Sequence, residues 1–364
     1  MEFVVRGRCF PNYPQVRRSP YNQQSKGEIM RLIFGLPAIL SVVISVTLAI
    51  ADVTIYSGQH EAGTKAVASA FTKETGIKVV VKRGSTEQFA GQLAEEGNES
   101  PADVFWSEQI PPLLALAEKG LLAPLNASLI AQTNGQGFKY VPKAAGRDWV
   151  ATSGRARVVV YDPKQIAESK LAASILDYSR PEWKGRIGYV PTSGAFLEQV
   201  IAITKLKGKE VARSWLTGLK ENGKLYARNS VALKAVEAGE LPAALINNYY
   251  WYNMLREQGG LDKVRSRLHF IGHEDPGAMI TYAGIGVVKA SVNKEEANKF
   301  VEFVVSKNGQ QVFSDVRAEY PLRLDVKSPF GMMPYTELEA PVVPSTTFLD
   351  GEAALKLLEE VGLK

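Results

Sequence analysis

The stretch from Asp52 to Gly84, DVTIYSGQHEAGTKAVASAFTKETGIKVVVKRG, decides the fold class. DVTIYS is rich in β-branched and aromatic residues and reads as a strand. In EAGTKAVASAFTKETG, Ala66, Val67, Ala70 and Phe71 fall on one helical face, and Gly76 supplies the stop. IKVVVKRG is a second strand. The same alternation continues: Ser85 with Gln88 three residues on suggests a capping box that opens a helix in TEQFAGQLAEEG. ADVFWS is a third strand, and a helix through PLLALAEKGLL stops at Gly120. Alternating strands and helices predict an α/β fold with a mostly parallel sheet covered on both faces.

The alternation breaks at DWVATSGRARVVVYD, a long strand that crosses into a second lobe. A second α/β unit runs from about residue 162 to 276. It contains the strand RIGYVP, the helices AFLEQVIAITKL and VARSWLTGLKENG, and a strand AALINNYY. After GAMITYAGIGVVK the chain is expected to return to the first lobe with a single helix in KEEANKFVEFVVSKNGQQVFSDV. The first lobe is thus assigned residues 52–152 with about 280–330, and the second about 153–279 with 331–364. Long crossing strands between two lobes imply a hinge and a cleft, where small ligands bind.

Upstream, MRLIFGLPAILSVVISVTLAIA, from Met30 to Ala51, has a charged start, an apolar middle and an Ala49-Ile50-Ala51 end. This pattern is that of a secretory signal peptide; a membrane anchor is the alternative at this length. No cysteine follows it, which excludes a lipid-anchored product. Residues 1–29, with Cys9 as the chain's single cysteine, precede the signal and read as an upstream-start leader. Residues 1–51 hold Arg6, Arg8, Arg17, Arg18, Lys26 and Arg31 against Glu2 and Glu28. Their removal lowers the net charge of +5 by four, to +1. The basic character belongs to the leader and gives no support for nucleic-acid binding. The exported chain also lacks a thiol, so neither a cysteine nucleophile nor a thiolate metal site is available.

Open α/β sheets bind ligands at the C-terminal ends of their strands. There the sequence places His60 in SGQH, Glu108 and Gln109 in SEQ, Ser193, Gly194 and Ala195 in TSGAFLEQ, and Tyr249 and Tyr250 in NNYYWYN. Each alone has an ordinary reading: a capping histidine, a carboxylate on a helix dipole, a serine N-cap, packed tyrosines. Together they bring an imidazole, a carboxylate, two phenols and an anion-type helix start to one cleft. Phenol has a pKa of about 10 and is a poor ligand for zinc or calcium. A trivalent hard cation overcomes that proton affinity, and iron(III) is the common one. Two phenolates and one carboxylate balance its charge. Two octahedral positions remain for an anion and water, with backbone donors at residues 193–195 and further donors on Gln109, Asn229 and Asn247.

The segments IYSGQH, FWSEQ, SGRARVVVYD, TSGAFLEQ, YARNSVAL, AALINNYYWYN and RAEYPLR, in this order and spacing, resemble the periplasmic ferric-ion-binding proteins of bacterial ABC iron importers. The resemblance covers essentially the whole exported chain. It implies a transferrin-like, type II periplasmic-binding-protein fold that is not an enzyme. The implied iron ligands are His60, Glu108, Tyr249 and Tyr250. The implied site for a synergistic phosphate or carbonate is Gln109, Ser193, Gly194, Ala195, Asn229 and Asn247. Family members often have YTEQ where this chain has FWSEQ, a change beside Glu108 that leaves the ligand itself. The implied partners of a monomer are an inner-membrane permease with its ATPase, and outer-membrane iron receptors. Two other functions stay open on residues alone: a binding protein for an organic or oxyanion solute, and an enzyme using His60 with Glu108 or Ser193. The chain lacks G-x-S-x-G and H-E-x-x-H motifs for the latter.

Overall fold

The computed structural model describes residues 52–134 and 147–364; the leader, the signal segment and Cys9 lie outside them. The chain opens with β1 (Val53–Ser57), α1 (Glu61–Thr75), β2 (Val79–Arg83), α2 (Thr86–Glu96), β3 (Val104–Ser107) and α3 (Ile110–Glu118). Gly76 closes α1 in the left-handed region at φ 75°. Val67 and Phe71 are buried on α1, whereas Ala66 and Ala70 stay half-exposed. The Ser85 hydroxyl accepts from Gln88 N at 3.1 Å and so forms the first half of the expected capping box. After β4 (Leu122–Ala123) and α4 (Ala127–Asn134) comes β5 (Val150–Tyr161), buried along its whole length.

The second unit holds β6 (Ile187–Tyr189), α5 (Gly194–Lys207), α6 (Lys209–Asn222), β7 (Lys224–Leu225), α7 (Asn229–Glu237), β8 (Ala243–Asn247), α8 (Asn248–Gln258) and β9 (Arg267–His269). The chain then returns through β10 (Ile280–Val288), α9 (Lys294–Val305), α10 (Lys307–Val316), β11 (Tyr320–Pro321) and α11 (Gly351–Val361). The main strand order is β2-β1-β3-β10-β5-β8-β6-β7.

Three expectations need correction. The sheet is mixed rather than mostly parallel. It is parallel at its ends, in β2-β1-β3 and β8-β6-β7, and antiparallel through the middle. The long strands cause this. β5 pairs with β10 through its first half and with β8 through Arg157–Tyr161, so it belongs to both ends of the sheet.

The expected helix at residues 294–316 is two helices. The Ser306 hydroxyl caps the second by accepting from Gly309 N at 3.1 Å, and a Cβ at Gly309 would collide with the Phe303 carbonyl oxygen. Finally, AALINNYY is not all strand. β8 stops at Asn247, and both tyrosines lie in the first turn of α8. A helix turns about 100° per residue, so consecutive side chains can share one side of the chain, which a strand forbids.

Two apolar cores flank this sheet. One gathers Val53, Ile55, Phe71, Trp106, Phe300 and Phe313, with Trp106 and Phe300 edge to face at 6.1 Å. The other runs from Phe105 and Leu113 to Phe196, Trp215 and Trp251. Trp251 and Tyr252 are both buried, so the residues after the tyrosine pair anchor α8.

Candidate metal centre

Five helix starts, those of α1, α3, α5, α7 and α8, deliver the candidate side chains. His60 is the N-cap of α1 and makes no side-chain capping bond, which leaves its imidazole free to face the cleft. The turn before it is tight, because a Cβ on Gly58 would strike Thr86. Thr86 in turn accepts from Glu108 N at 3.0 Å and fixes the SEQ turn. Gln109 caps α3, Ser193 caps α5 and Asn247 caps α8, each with extended backbone.

The structure brings the histidine, the carboxylate and the tyrosine pair together. His60 Nε2 lies 3.4 Å from Glu108 Oε1. The Tyr249 hydroxyl donates to the same Glu108 oxygen at 3.5 Å. The His60 and Tyr249 rings sit 4.9 Å apart, centroid to centroid, and Tyr249 and Tyr250 lie 4.2 Å apart. A cavity of about 630 Å³ opens beside them, lined by His60, Tyr249, Tyr250 and Arg317 and by residues of α7 and α8. Among the described residues no group of three or more His, Cys, Asp or Glu side chains is placed to hold a metal ion, so the phenols are what distinguish this cluster.

The expected anion residues are more dispersed. The Gln109 side chain packs on Gly194, where a Cβ would come within 2.8 Å of its amide. The Ser193 hydroxyl accepts from Phe196 N at 3.2 Å, and Ala195 is buried behind it. Asn229 opens α7 with a buried Oδ1, and Asn247 accepts from Arg157 at 2.8 Å. Among the described residues no hydrogen bond joins Ser193 or Asn229 to the tyrosines.

Electrostatics favour an ionised Glu108 carboxylate beside a protonated Tyr249 phenol. Burial raises the Glu108 pKa, but the His60 hydrogen bond and the charges of His60, Arg155 and Arg317 outweigh it and hold the group at about 2. Burial pushes Tyr249 well above the usual phenol range, and Glu108 and Tyr250 push it further. Four buried polar atoms here meet their partners as ion pairs: His60 Nε2 and Arg155 Nη1 each lie 3.4 Å from Glu108 Oε1, and His60 Nε2 and Arg317 Nε lie 4.0 and 3.9 Å from Glu319 Oε1.

The sequence reading did not single out the charged floor of the site. Arg155 Nη1 is 3.4 Å from Glu108 Oε1, and its Nη2 donates to the Glu108 carbonyl. Glu319, fully buried, has Oε1 at 4.0 Å from His60 Nε2 and Oε2 accepting from the Ser153 hydroxyl at 2.6 Å. The Arg317 guanidinium stands 5.3 Å from the Tyr249 ring centroid. A signal was present: two arginines at alternate positions of SGRARVVVY share one face of an otherwise apolar strand, and buried arginines need anionic partners.

Comparison with known proteins assigns the family. The sequence profile of the bacterial extracellular solute-binding proteins matches residues 57–311. The chain is 57% identical over 318 residues to the major ferric iron-binding protein of Neisseria meningitidis, covering 87% of this chain and 95% of that one. It is 34% identical over 312 residues to the Fe(3+)-binding periplasmic protein of Serratia marcescens, covering 85% and 90%. Iron-bound HitA from Pseudomonas aeruginosa superposes with a TM-score of 0.80 at 44% identity, over 86% of this chain and 99% of that one. Structural neighbours of this kind are two-lobed periplasmic binding proteins, and the chain shares their α/β fold. The chain is therefore a member of the bacterial extracellular solute-binding proteins, in the branch formed by the periplasmic ferric-ion-binding proteins.

Proposed function

We propose that this chain captures iron(III) in the periplasm and hands it to the inner-membrane permease and ATPase of an ABC importer. His60, Glu108, Tyr249 and Tyr250 supply the ligands. Gln109, Ser193, Gly194, Ala195, Asn229 and Asn247 supply donors to a synergistic phosphate or carbonate. The supporting observation is the meeting of His60, Glu108 and Tyr249 within 3.5 Å of one carboxylate oxygen, from three separate helix starts. The curated relatives are iron-binding components of transport, so the chain is a carrier and not an enzyme. Residues 30–51 direct export, and the two lobes, with the boundaries read from the sequence, close around the ion.

The chemistry follows from the donors. Glu108 is ionised before iron arrives, whereas both phenols must release their protons to solvent as their oxygens bind it. A +3 charge at the hydroxyls makes that loss favourable, as a metal ion does for any coordinated acid. Arg155 and Arg317 hold Glu108 in place and keep its oxygens from protonating. The test is direct: ferric citrate and phosphate added to the purified exported chain should give the purple-red phenolate-to-iron band. A colourless protein with no bound iron would end this reading.

A further inference from the structure

The two buried arginines on β5 are not equivalent. Arg155 meets the Glu108 carboxylate at 3.4 Å. Arg157, two residues on and equally buried, has no carboxylate within 4.0 Å among the described residues, and its Nε has no hydrogen-bond partner. The groups that act on its charge are the Tyr249 and Tyr250 phenols and then Glu198, and Glu198 is pushed up to about 8 by burial. A buried cation without a counter-charge is costly unless something outside the chain supplies the charge.

The one bond the structure gives this guanidinium's terminus is informative. Arg157 lies directly opposite Asn247 in the β5–β8 ladder, and its Nη1 donates to Asn247 Oδ1 at 2.8 Å. Guanidinium can only donate, so the orientation of the Asn247 amide is forced by chemistry. Its oxygen is turned to the guanidinium, and its two N–H donors point away from it. The neighbouring Asn248 shows the contrast. Its Oδ1 accepts from Ala156 N at 3.0 Å and its Nδ2 faces the Ala318 carbonyl at 3.4 Å, so that amide is used up by the backbone.

We infer that Arg157 is a positioning residue for the synergistic anion: it fixes the Asn247 amide with its N–H donors turned away from the guanidinium and supplies a buried positive charge for an oxyanion beside the iron. This rests on the anion site proposed above. It extends that site to a residue outside the set of direct anion donors, and it makes the centre selective for an anionic partner over a neutral or cationic one.

The test is a phosphate titration at fixed ferric nitrilotriacetate, read as the visible phenolate band, with wild type, Arg157→Gln and Asn247→Asp. Removing a partner that orients a ligand typically costs about 10–100-fold in affinity. The phosphate concentration at half-maximal colour should therefore rise by that factor in Arg157→Gln, with the band position unchanged at saturating phosphate. Asn247→Asp keeps an acceptor for Arg157 but loses the donor, and its midpoint should rise as well. A purely structural Arg157 would lower the melting temperature and leave the midpoint in place. If Arg157→Gln does not melt cooperatively, Arg157→Lys decides, since it keeps the charge and loses the guanidinium geometry that orients Asn247. A wild-type midpoint in the folded variants overturns the role of Arg157 alone. Wild-type colour that ignores phosphate altogether overturns the anion site and this inference with it.

Discussion

Tyr249 and Glu108 make opposite demands on one small volume. The carboxylate is held ionised by His60, Arg155 and Arg317, while the phenol beside it is held neutral by burial and by that same negative charge. An arriving trivalent cation reverses the phenol's position and leaves the carboxylate's as it was. Tyr249→Phe should therefore abolish most of the visible band and weaken iron binding by roughly 100-fold or more, beyond the ~10–100-fold of losing an outer partner. Iron competition against a chelator checks this. In the iron-free protein Glu108 has a depressed pKa, so the stability it contributes is full above its unfolded value of about 4.3 and is lost as pH falls through about 2. The gap in melting temperature between wild type and Glu108→Gln should be constant above about pH 5 and shrink in acid. A pH-independent gap would show that the pairing does not control this carboxyl.

Among the elements, helix starts carry the site, and two of them face each other. Glu198, in the second turn of α5, accepts from Ile110 N at the start of α3 at 3.4 Å, while Gln109 packs on Gly194 at the start of α5. A buried carboxyl there answers the unpaired backbone donors of α3. Burial raises its pKa to about 8, so its contribution to stability is full below about pH 4 and is lost as pH climbs to about 8. Glu198→Gln should remove that slope: thermal melts from pH 5 to 9 should fall less steeply with pH in the variant than in wild type. Parallel curves would mean that the carboxyl is already ionised in the fold. At this scale the sequence was readable wherever a local rule acts alone. The strand–helix alternation, the Gly76 stop and the Ser85 cap all appear where composition places them. The break at Ser306 was not readable, because the Gly309–Phe303 contact that requires it arises only once the two helices meet.

For the whole molecule, β5 pairs with β8 toward one end of the sheet and with β10, which joins β3 toward the other, so the described residues from Asp52 onward form one compact unit. Iron that binds only the folded, closed chain must stabilise it by mass action, by about 4 kcal/mol at a thousandfold excess over the dissociation constant. Adding ferric citrate with phosphate should raise the melting temperature by several degrees in wild type and much less in Tyr249→Phe. Equal shifts in both would place the stabilising iron elsewhere.

By itself the sequence determined the α/β class, the long strand at its centre, and which of its histidines, carboxylates and phenols stand at strand ends. These follow from local periodicity, capping and turn chemistry, which act over a few residues. Tertiary structure alone decided that the tyrosine pair lies on a helix, that the sheet is antiparallel at its centre, and that Arg155, Arg157, Arg317 and Glu319 form a buried charged floor. A charged side chain carries no local mark of burial, since its partners come from strands and helices distant in the chain. Only the fold can say which charge is solvated and which must be answered.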